Sequence, residues 1–359
     1  MKREVDEIVQ SLKKLLKPVV EGACAADDID LNLWDEIGIS LEKVIFDSEN
    51  ENLVIITPDR PEKSAVIGKG GWVVGRLREE LGVNSIHVEA NSDILVRKYR
   101  MELASRRLDE ILPSFDEEDK YPLENLQKLL NQRIENVYHA NSLLNGIVND
   151  SEKKQVKEFQ TPRAMVALSG GVDSSSSLII AKILGFNPIA VTVNPGEIVL
   201  PKHFQKNVEN LSKGLDVEHD YINVDMSSVI ADALEGKIHP CGRCSGTIEE
   251  ALMDHAKKLK IPFLIFGDFL STGAQSILFK SGVWRINMPA MLSATKGETK
   301  GLAGCYGIKS AGGYGCPLIN EVHKQHAHMS RFSIQRVLRE TRAGVLEPGE
   351  ALGLIMRSI

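Results

Sequence analysis

Apolar residues recur at helical spacing at the start of the chain, at Val5, Ile8, Val9, Leu12, Leu15 and Leu16, and predict an amphipathic helix limited by Pro18. Two short apolar runs, Lys43 to Phe46 and Leu53 to Thr57, joined by the polar stretch Asp47 to Asn52, predict a hairpin. Ser64 to Ile67 then leads into Gly68-Lys69-Gly70-Gly71, a helical run from Trp72 to Leu81 and an alternating strand from Ser85 to Glu89. Helical spacing resumes from about Asp93 to Leu112 and, beyond Pro113 and the acidic residues 116–119, from Leu123 to Val148. Residues 150–160 are almost wholly polar and mark a boundary.

From Ala164 the pattern changes to apolar strands alternating with helix-length segments. Ala164 to Leu168, Pro188 to Val193, His219 to Val224 and Pro262 to Phe266 give the order βαβαβαβ, which predicts an α/β fold with a doubly wound parallel sheet. Gly297 to Gly315 is glycine-rich and without periodicity, and is expected to be a loop over a site. The expected division is an N-terminal region 1–115 with a small α+β core at about 40–112, a helical linker 116–160, the α/β domain 161–322 and a basic segment 323–359.

With 359 residues, 43% hydrophobic and 26% charged, the composition is that of a globular chain and excludes wholesale disorder and fibrous repeats. Five cysteines are too few for a disulfide framework. The charged start MKREVDEIVQ lacks the apolar core of a signal peptide, and no apolar run reaches the ~18 residues of a membrane span, so a cytoplasmic chain without membrane association is expected. A formal net charge of −6 confines any nucleic-acid attraction to local patches.

The strongest chemical signal is Ser169-Gly170-Gly171-Val172-Asp173-Ser174-Ser175, between the first strand of the sheet and an apolar helix. Glycines admit an anion close to the backbone, hydroxyls and amides donate to its oxygens, and the helix N-terminus adds a favourable dipole. The loop lacks the Lys-Ser/Thr ending of a Walker A motif and the spacing of GxGxxG. It resembles the loop of the PP-loop ATP pyrophosphatases, over roughly residues 160 to 345. That superfamily includes GMP synthetase, NAD synthetase, asparagine synthetase and the tRNA thiouridine and thiocytidine synthetases. The resemblance implies cleavage of ATP between its α and β phosphates, with adenylation of a carbonyl-type oxygen. It also implies that Ser169, Gly170, Gly171, Asp173, Ser174 and Ser175 hold pyrophosphate and magnesium. Val191-Thr192-Val193 would lie near adenine, Thr192 included among the cofactor contacts. Gly267 and Asp268, at the carboxyl end of the fourth strand, fall where such folds bind ligands; Asp268 would hold magnesium or serve as a helix N-cap. Arg285 to Pro289 and the Lys296-Gly297-Glu298 segment resemble the basic strand and Lys-x-Glu of RNA-sulfurating members, so Arg285 and Lys296 would neutralise phosphate; a solvated charged loop is the alternative.

Cys241-Gly242-Arg243-Cys244 opens a helical segment and Cys316-Pro317 lies downstream. With Cys305, four thiols would close a structural zinc site; three would leave one iron of a 4Fe-4S cluster open to sulfur. The spacing permits both, and the CxxC with a later Cys-Pro resembles the three-cysteine cluster set of PP-loop tRNA thiolases. That resemblance implies Cys241, Cys244 and Cys316 as cluster ligands, with Cys305 outside as a candidate persulfide carrier. Cys24, far from these in sequence, is expected to be a buried structural thiol.

Val66-Ile67-Gly68-Lys69-Gly70-Gly71-Trp72 resembles the GxxG signature of type II KH domains, which implies that Gly68, Lys69, Gly70 and Gly71 clamp unpaired RNA. A KH-like fold without RNA is the alternative. Arg76, Arg78, Arg97, Lys98 and Arg100 would extend a phosphate track diluted by Glu79, Glu80 and Glu89. In the C-terminal segment Lys324, Arg331, Arg336, Arg339 and Arg342 form a basic patch suited to RNA phosphates, and His323, His326 and His328 read as solvated or phosphate-facing. Together these imply an ATP-dependent sulfurtransferase acting on tRNA or another structured RNA, using ATP, Mg2+ and a 4Fe-4S cluster, with sulfide or a persulfide carrier as sulfur donor. The alternatives are an ammonia-using ligase with structural zinc, weakened because no glutaminase domain is visible, and a non-catalytic ATP-binding RNA factor. A homodimer is compatible with the sequence.

Overall fold

The computed structural model describes residues 2–33, 37–138, 161–309 and 315–358. The chain divides into two units, Met1–Arg97 and Lys98–Ile359. The first unit opens with α1 (Lys2–Val20), whose Val9, Leu12 and Leu16 are fully buried, as the spacing predicts. The helix continues through Pro18 to Val20; the lost amide donor falls in the last turn, which buried Val19 retains. After a two-residue antiparallel pair, Asn32–Leu33 with Ile39–Ser40, come β1 (Lys43–Asp47) and β2 (Asn52–Thr57). These form the expected hairpin, its turn closed by the Asp47 carboxylate accepting from the Glu49 and Asn50 amides. Then follow α2 (Arg60–Ile67), the glycine turn, α3 (Trp72–Leu81) and β3 (Ser85–Ala90), which pairs parallel to β2. Leu12, Leu16, Leu53, Ile55, Val66, Val73, Leu77 and Val88 make one apolar core between helices and sheet.

The sequence places its first boundary at residue 115, whereas the second unit begins at Lys98. The reason lies in α4 (Asn91–Ile111): its Met101, Ala104, Leu108 and Ile111 enter the core of the second unit. Nor is α5 (Glu117–Glu135), the described part of the expected linker 116–160, a free connector. It buries Leu123, Leu126, Leu129 and Leu130 in that same core, and Asn125 donates to the Leu184 carbonyl at 2.8 Å. Residues 139–160 of that stretch lie outside the described residues.

The second unit is built on the four strands the pattern predicts, β4 (Arg163–Ala167), β5 (Asn187–Asn194), β6 (Glu218–Asn223) and β7 (Phe263–Phe266), extended by the hairpin β8 (Ile277–Lys280) and β9 (Val283–Asn287). The sheet order is β8-β9-β7-β4-β5-β6, parallel throughout except the β8–β9 pair. Succession runs from central β4 outward through β5 to β6, then returns to β7 on β4's other side. The topological switch therefore lies between β4 and β7, where the loops leaving their carboxyl ends diverge and open a crevice. Into it project α6 (Val172–Leu184), which follows β4, and α9 (Pro240–Lys258), which precedes β7; α7 (Lys202–Gly214) and α8 (Ser227–Leu234) complete the connections.

Beyond the hairpin a short turn of helix, α10 (Met288–Met291), leads to α11 (Lys296–Cys305). This helix occupies much of the expected glycine-rich loop. Thr295 and Glu298 form a capping box that satisfies its first amides, and buried Glu298 is paired with Arg133 at 2.8 Å. The glycines of this run concealed a helix whose stability rests on its cap. Three more helices follow: α12 (Pro317–Gln325), α13 (Ser330–Arg342) and α14 (Pro348–Ser358). Among the described residues no helix is long and apolar enough to cross a membrane.

Candidate active site

Ser169, Gly170 and Gly171 turn out of β4, and Asp173, Ser174 and Ser175 fall in the first turn of α6. The turn is fastened from within. Ser174 Oγ donates to the Gly171 carbonyl at 3.1 Å and accepts from the Ser169 amide at 3.1 Å, while the Ser169 and Ser174 hydroxyls lie 3.0 Å apart. The first bond into the helix is Ser175 N to Gly171 O at 3.0 Å, so the amides of Val172, Asp173 and Ser174 precede the helical ladder, a geometry that suits an anion. Two glycines are dictated by close approach. Gly170 has φ +76°, and a Cβ there would stand 2.3 Å from the Phe204 carbonyl oxygen. At Gly267, just past β7, a Cβ would stand 2.7 Å from the Ser174 nitrogen. Gly267 therefore lets the helix N-terminus lie against the end of the neighbouring strand, which the switch-point crevice needs.

The loop lines a cavity of about 550 Å3 together with Val191 and Val193 of β5, Phe266, Gly267, Asp268 and Arg285, and with Cys241 and Cys244 on the first turn of α9. Side chains alternate along a strand, so with Val191 and Val193 facing the cavity Thr192 faces away. Its hydroxyl donates to the Leu168 carbonyl at 2.7 Å and meets His219 Nε2 at 2.9 Å, where it accepts from the ring. Thr192 thus ties strands together, and the adenine-contact expectation passes to its two valine neighbours. Ser175 is likewise fully buried in α6 and does not line the cavity.

Asp173 bonds Lys296 Nζ through one carboxylate oxygen and accepts from Thr299 Oγ1 at 3.2 Å through the other. Lys296 is fixed by its place at the start of capped α11 and by the Phe269 ring, 4.3 Å from its ammonium. Asp268 is no helix N-cap; its carboxylate accepts from the Leu270 amide at 3.3 Å and stands 3.9 Å from Arg285. The Arg285 guanidinium lies over the Phe266 ring at 4.8 Å and 3.7 Å from Glu249.

The structure brings three of the five cysteines together. Cys316 stands at the N-cap position of α12 without a side-chain cap bond, close enough to Cys241 and Cys244 to raise both thiols. Burial pushes the Cys241 thiol up to about 11, against the opposing pull of the Arg336 guanidinium, and burial followed by Cys316 raises Cys244. Cys241 and Cys244 line the cavity and Cys316 lies near both, and soft thiols so placed fit a group that thiolate binding stabilises. Among the described residues no group of three or more His, Cys, Asp or Glu closes on a point fit for one metal ion, so the thiols form a looser set. Cys305 is exposed at the end of α11, and Cys24 is half-buried, not enclosed as expected.

The basic C-terminal segment divides in a way its charge alone did not show. Arg336 and Arg339 line the cavity beside the Ser169–Ser174 turn, Arg336 held by Glu340 at 3.0 Å. Lys324 lies outside it, 3.5 Å from Glu321, and Arg331 covers the Phe332 ring at 4.7 Å. Two of the three histidines have protein partners instead, His323 meeting buried Ser333 at 3.2 Å and His326 the Leu234 carbonyl at 2.8 Å, while His328 is exposed. Spacing was the missed signal, since Arg336 and Arg339 at i and i+3 share a helix face. A second cavity of about 310 Å3 shares Gly171, Asp173, Cys241 and Arg336 with the first and adds Lys296, Lys300, Phe204 and Ile319.

In the first unit Gly68, Gly70 and Gly71 all have positive φ. Gly68 packs on Val73, whereas a Cβ at Gly70 would meet nothing within 4 Å. Trp72 beside the turn is 59% exposed. The expected phosphate track is largely engaged elsewhere: Arg76 pairs with Asp6 and Glu80, Arg97 with Glu89, and Arg100 donates to the Ala343 carbonyl within the second unit.

No protein-family model matches the chain. Among solved structures, that of the U34-tRNA thiolase NcsA from Methanococcus maripaludis with its [4Fe-4S] cluster superposes with a TM-score of 0.37 and 18% identity, over 58% of this chain and 82% of that one. A 7-cyano-7-deazaguanine synthase of Thermoplasma volcanium is 36% identical over 90 residues, 25% of this chain and 36% of that protein. The uncharacterized protein MJ1638 of Methanocaldococcus jannaschii is 35% identical over 232 residues, 64% of this chain and 88% of that protein. By that extent of shared sequence, the chain belongs to the same family as MJ1638.

Proposed function

We propose that the protein is an ATP-dependent RNA sulfurtransferase, acting on tRNA, that adenylates a pyrimidine carbonyl oxygen and replaces it with sulfur. The observation that carries this reading is that one cavity of about 550 Å3 is lined both by the anion-binding turn Ser169–Ser174 and by Cys241 and Cys244. The amides at the start of α6 take the pyrophosphate portion of ATP, and Val191, Val193 and Phe266 offer an apolar wall to adenine. Asp173 and Asp268 are the carboxylates that would hold magnesium, which supplies charge neutralisation for the departing pyrophosphate. Lys296 fixes Asp173 and adds positive charge beside it. The carbonyl oxygen attacks the α-phosphorus and pyrophosphate leaves; sulfur then adds at the ring carbon and AMP departs with the original oxygen.

Cys241, Cys244 and Cys316 would hold a 4Fe-4S cluster, which supplies one iron open to sulfur when bound. A cluster takes each thiolate on a different iron, so it accommodates a wider spacing than a single ion does. The glycine turn Gly68–Gly71, flanked by helices and preceded by a hairpin, fits the KH-like reading, in which that unit grips unpaired RNA.

The match to 7-cyano-7-deazaguanine synthase favours a second reading on the same chemistry, in which the activated carbon is attacked by a nitrogen nucleophile. One assay separates them. Anaerobic protein given tRNA, ATP, magnesium and sulfide is expected to release AMP and pyrophosphate and to yield a thionucleoside seen by mass spectrometry, and Asp173→Asn to abolish both. ADP and phosphate as products would refute the loop assignment. Pyrophosphate release with nitrogen incorporation and no sulfur would establish the second reading.

A further inference from the structure

Arg336 and Arg339 sit on α13, more than 150 positions along the chain from the turn at Ser169–Ser174, yet both line its cavity. We infer that these two arginines are a pyrophosphate clamp: they bind the β and γ phosphates of ATP from a wall separate from the loop, and they are not part of an RNA track. The inference rests on the ATP reading of this cavity.

Three observations carry it. First, a guanidinium lining a cavity of about 550 Å3 meets an anion small enough to enter, and the anion-binding amides of α6 line the same space. Second, the other cations around the loop are committed to carboxylates: Lys296 to Asp173, and Arg285 to Glu249 and Asp268. Arg339 has no ion-pair partner among the described residues, so it brings uncompensated positive charge to a site where ATP brings up to four negative charges. Third, Arg336 is oriented from behind. Its Nε donates at 3.0 Å to Glu340, which is only 4% exposed and so fixes where the guanidinium points. Arg336 also lines the second cavity beside Gly171 and Asp173, which puts it next to the start of α6 on both sides.

The test is calorimetric titration of the full-length chain with magnesium pyrophosphate, with AMP and, separately, with tRNA. Arg339→Ala is expected to weaken pyrophosphate binding about tenfold, ~1.4 kcal/mol, with AMP affinity unchanged. Arg339→Lys restores charge without the planar fork and should recover part of the loss. Arg336→Lys, which keeps a cation opposite buried Glu340 and so guards the fold, should also weaken pyrophosphate and spare AMP. Unchanged pyrophosphate affinity in Arg339→Ala overturns the clamp, and a fall confined to tRNA would return these arginines to RNA binding. Wild-type protein that binds neither pyrophosphate nor AMP would instead overturn the ATP reading itself.

Discussion

Each unit of this chain places a glycine-rich turn at the start of a helix, and the two turns differ in how much of their glycine backbone is packed against neighbours. At Ser169–Ser175 glycine permits contact: Gly170 presses on the Phe204 carbonyl, Gly267 receives the Ser174 nitrogen, and serine hydroxyls tie the turn to itself. The result is a turn tied to itself at the wall of a cavity. At Gly68–Gly71 three residues have positive φ, and although Gly68 presses on Val73, a Cβ at Gly70 would meet empty space. That turn stands open, next to exposed Trp72. A packed turn of this kind suits a small anion, whereas an open one has room for a longer chain held by its backbone.

The sharpest way to break this contrast is to add one methyl group to each turn. Gly170→Ala and Gly267→Ala each force backbone against backbone, and Gly170 also leaves the region where L-residues are comfortable, at ~1–2 kcal/mol. Both variants are expected to lose ATP-dependent pyrophosphate release and to unfold at lower temperature. Gly70→Ala meets no neighbour, so it should cost only the backbone strain, about 1 kcal/mol, in the first unit. Equal effects at the two turns would dissolve the distinction.

A second difference is metal. If the cavity mouth holds a four-iron cluster, Cys241→Ala, Cys244→Ala and Cys316→Ala should each lower the iron and sulfide of anaerobically prepared protein from about four of each toward zero. Cys24→Ala should leave both untouched, and so should Cys305→Ala at its exposed site. One zinc and no sulfide in the unaltered protein would replace the cluster by the zinc alternative.

Gly70→Asp tests the open turn itself. Aspartate tolerates positive φ better than most residues, so the change chiefly adds negative charge where an RNA backbone would pass. RNA affinity should fall several-fold while ATP affinity stays level. Unchanged RNA affinity would leave this unit without the RNA role.

The sheet and the turn from β4 into α6 are legible because they rest on local rules: apolar strands of the right length, and glycine and serine between a strand and a helix. Thr192 was misplaced by reading a strand as a contact without its alternation; Val191 and Val193 face the cavity. The capped helix at Lys296 was hidden because glycines mask propensity while a Thr-Glu box supplies the missing bonds. Arg336 and Arg339 were assigned to RNA because net charge is legible in sequence and the partner of a charge is not. Only the path of α13 to the crevice decides what those arginines meet.

Acid should separate the two units by the groups each one buries. Glu89 in the first unit is pulled down to about 2, because the His87 hydrogen bond and the Arg97 and Lys63 charges outweigh the opposing effect of burial. Its folded value lies below its ordinary 4.5, so its contribution is complete above that pH and is lost as pH falls from 4.5 toward 2. The second unit carries His219, bonded to Thr192 beside the cavity strand, and burial lowers its value from 6.5. A histidine held neutral resists protonation in the fold, so this contribution is complete above pH 6.5 and declines as pH drops below it. One proton limits the slope to about 1.4 kcal/mol per pH unit. Hydrogen exchange between pH 7 and 5 should show strand residues near Thr192 losing protection while those near Glu89 hold. His219→Gln keeps a donor for the Thr192 hydroxyl and should flatten that change. Loss of protection near Glu89 first would mean that the ion pairs of the first unit, and not the buried imidazole of the second, set the acid limit.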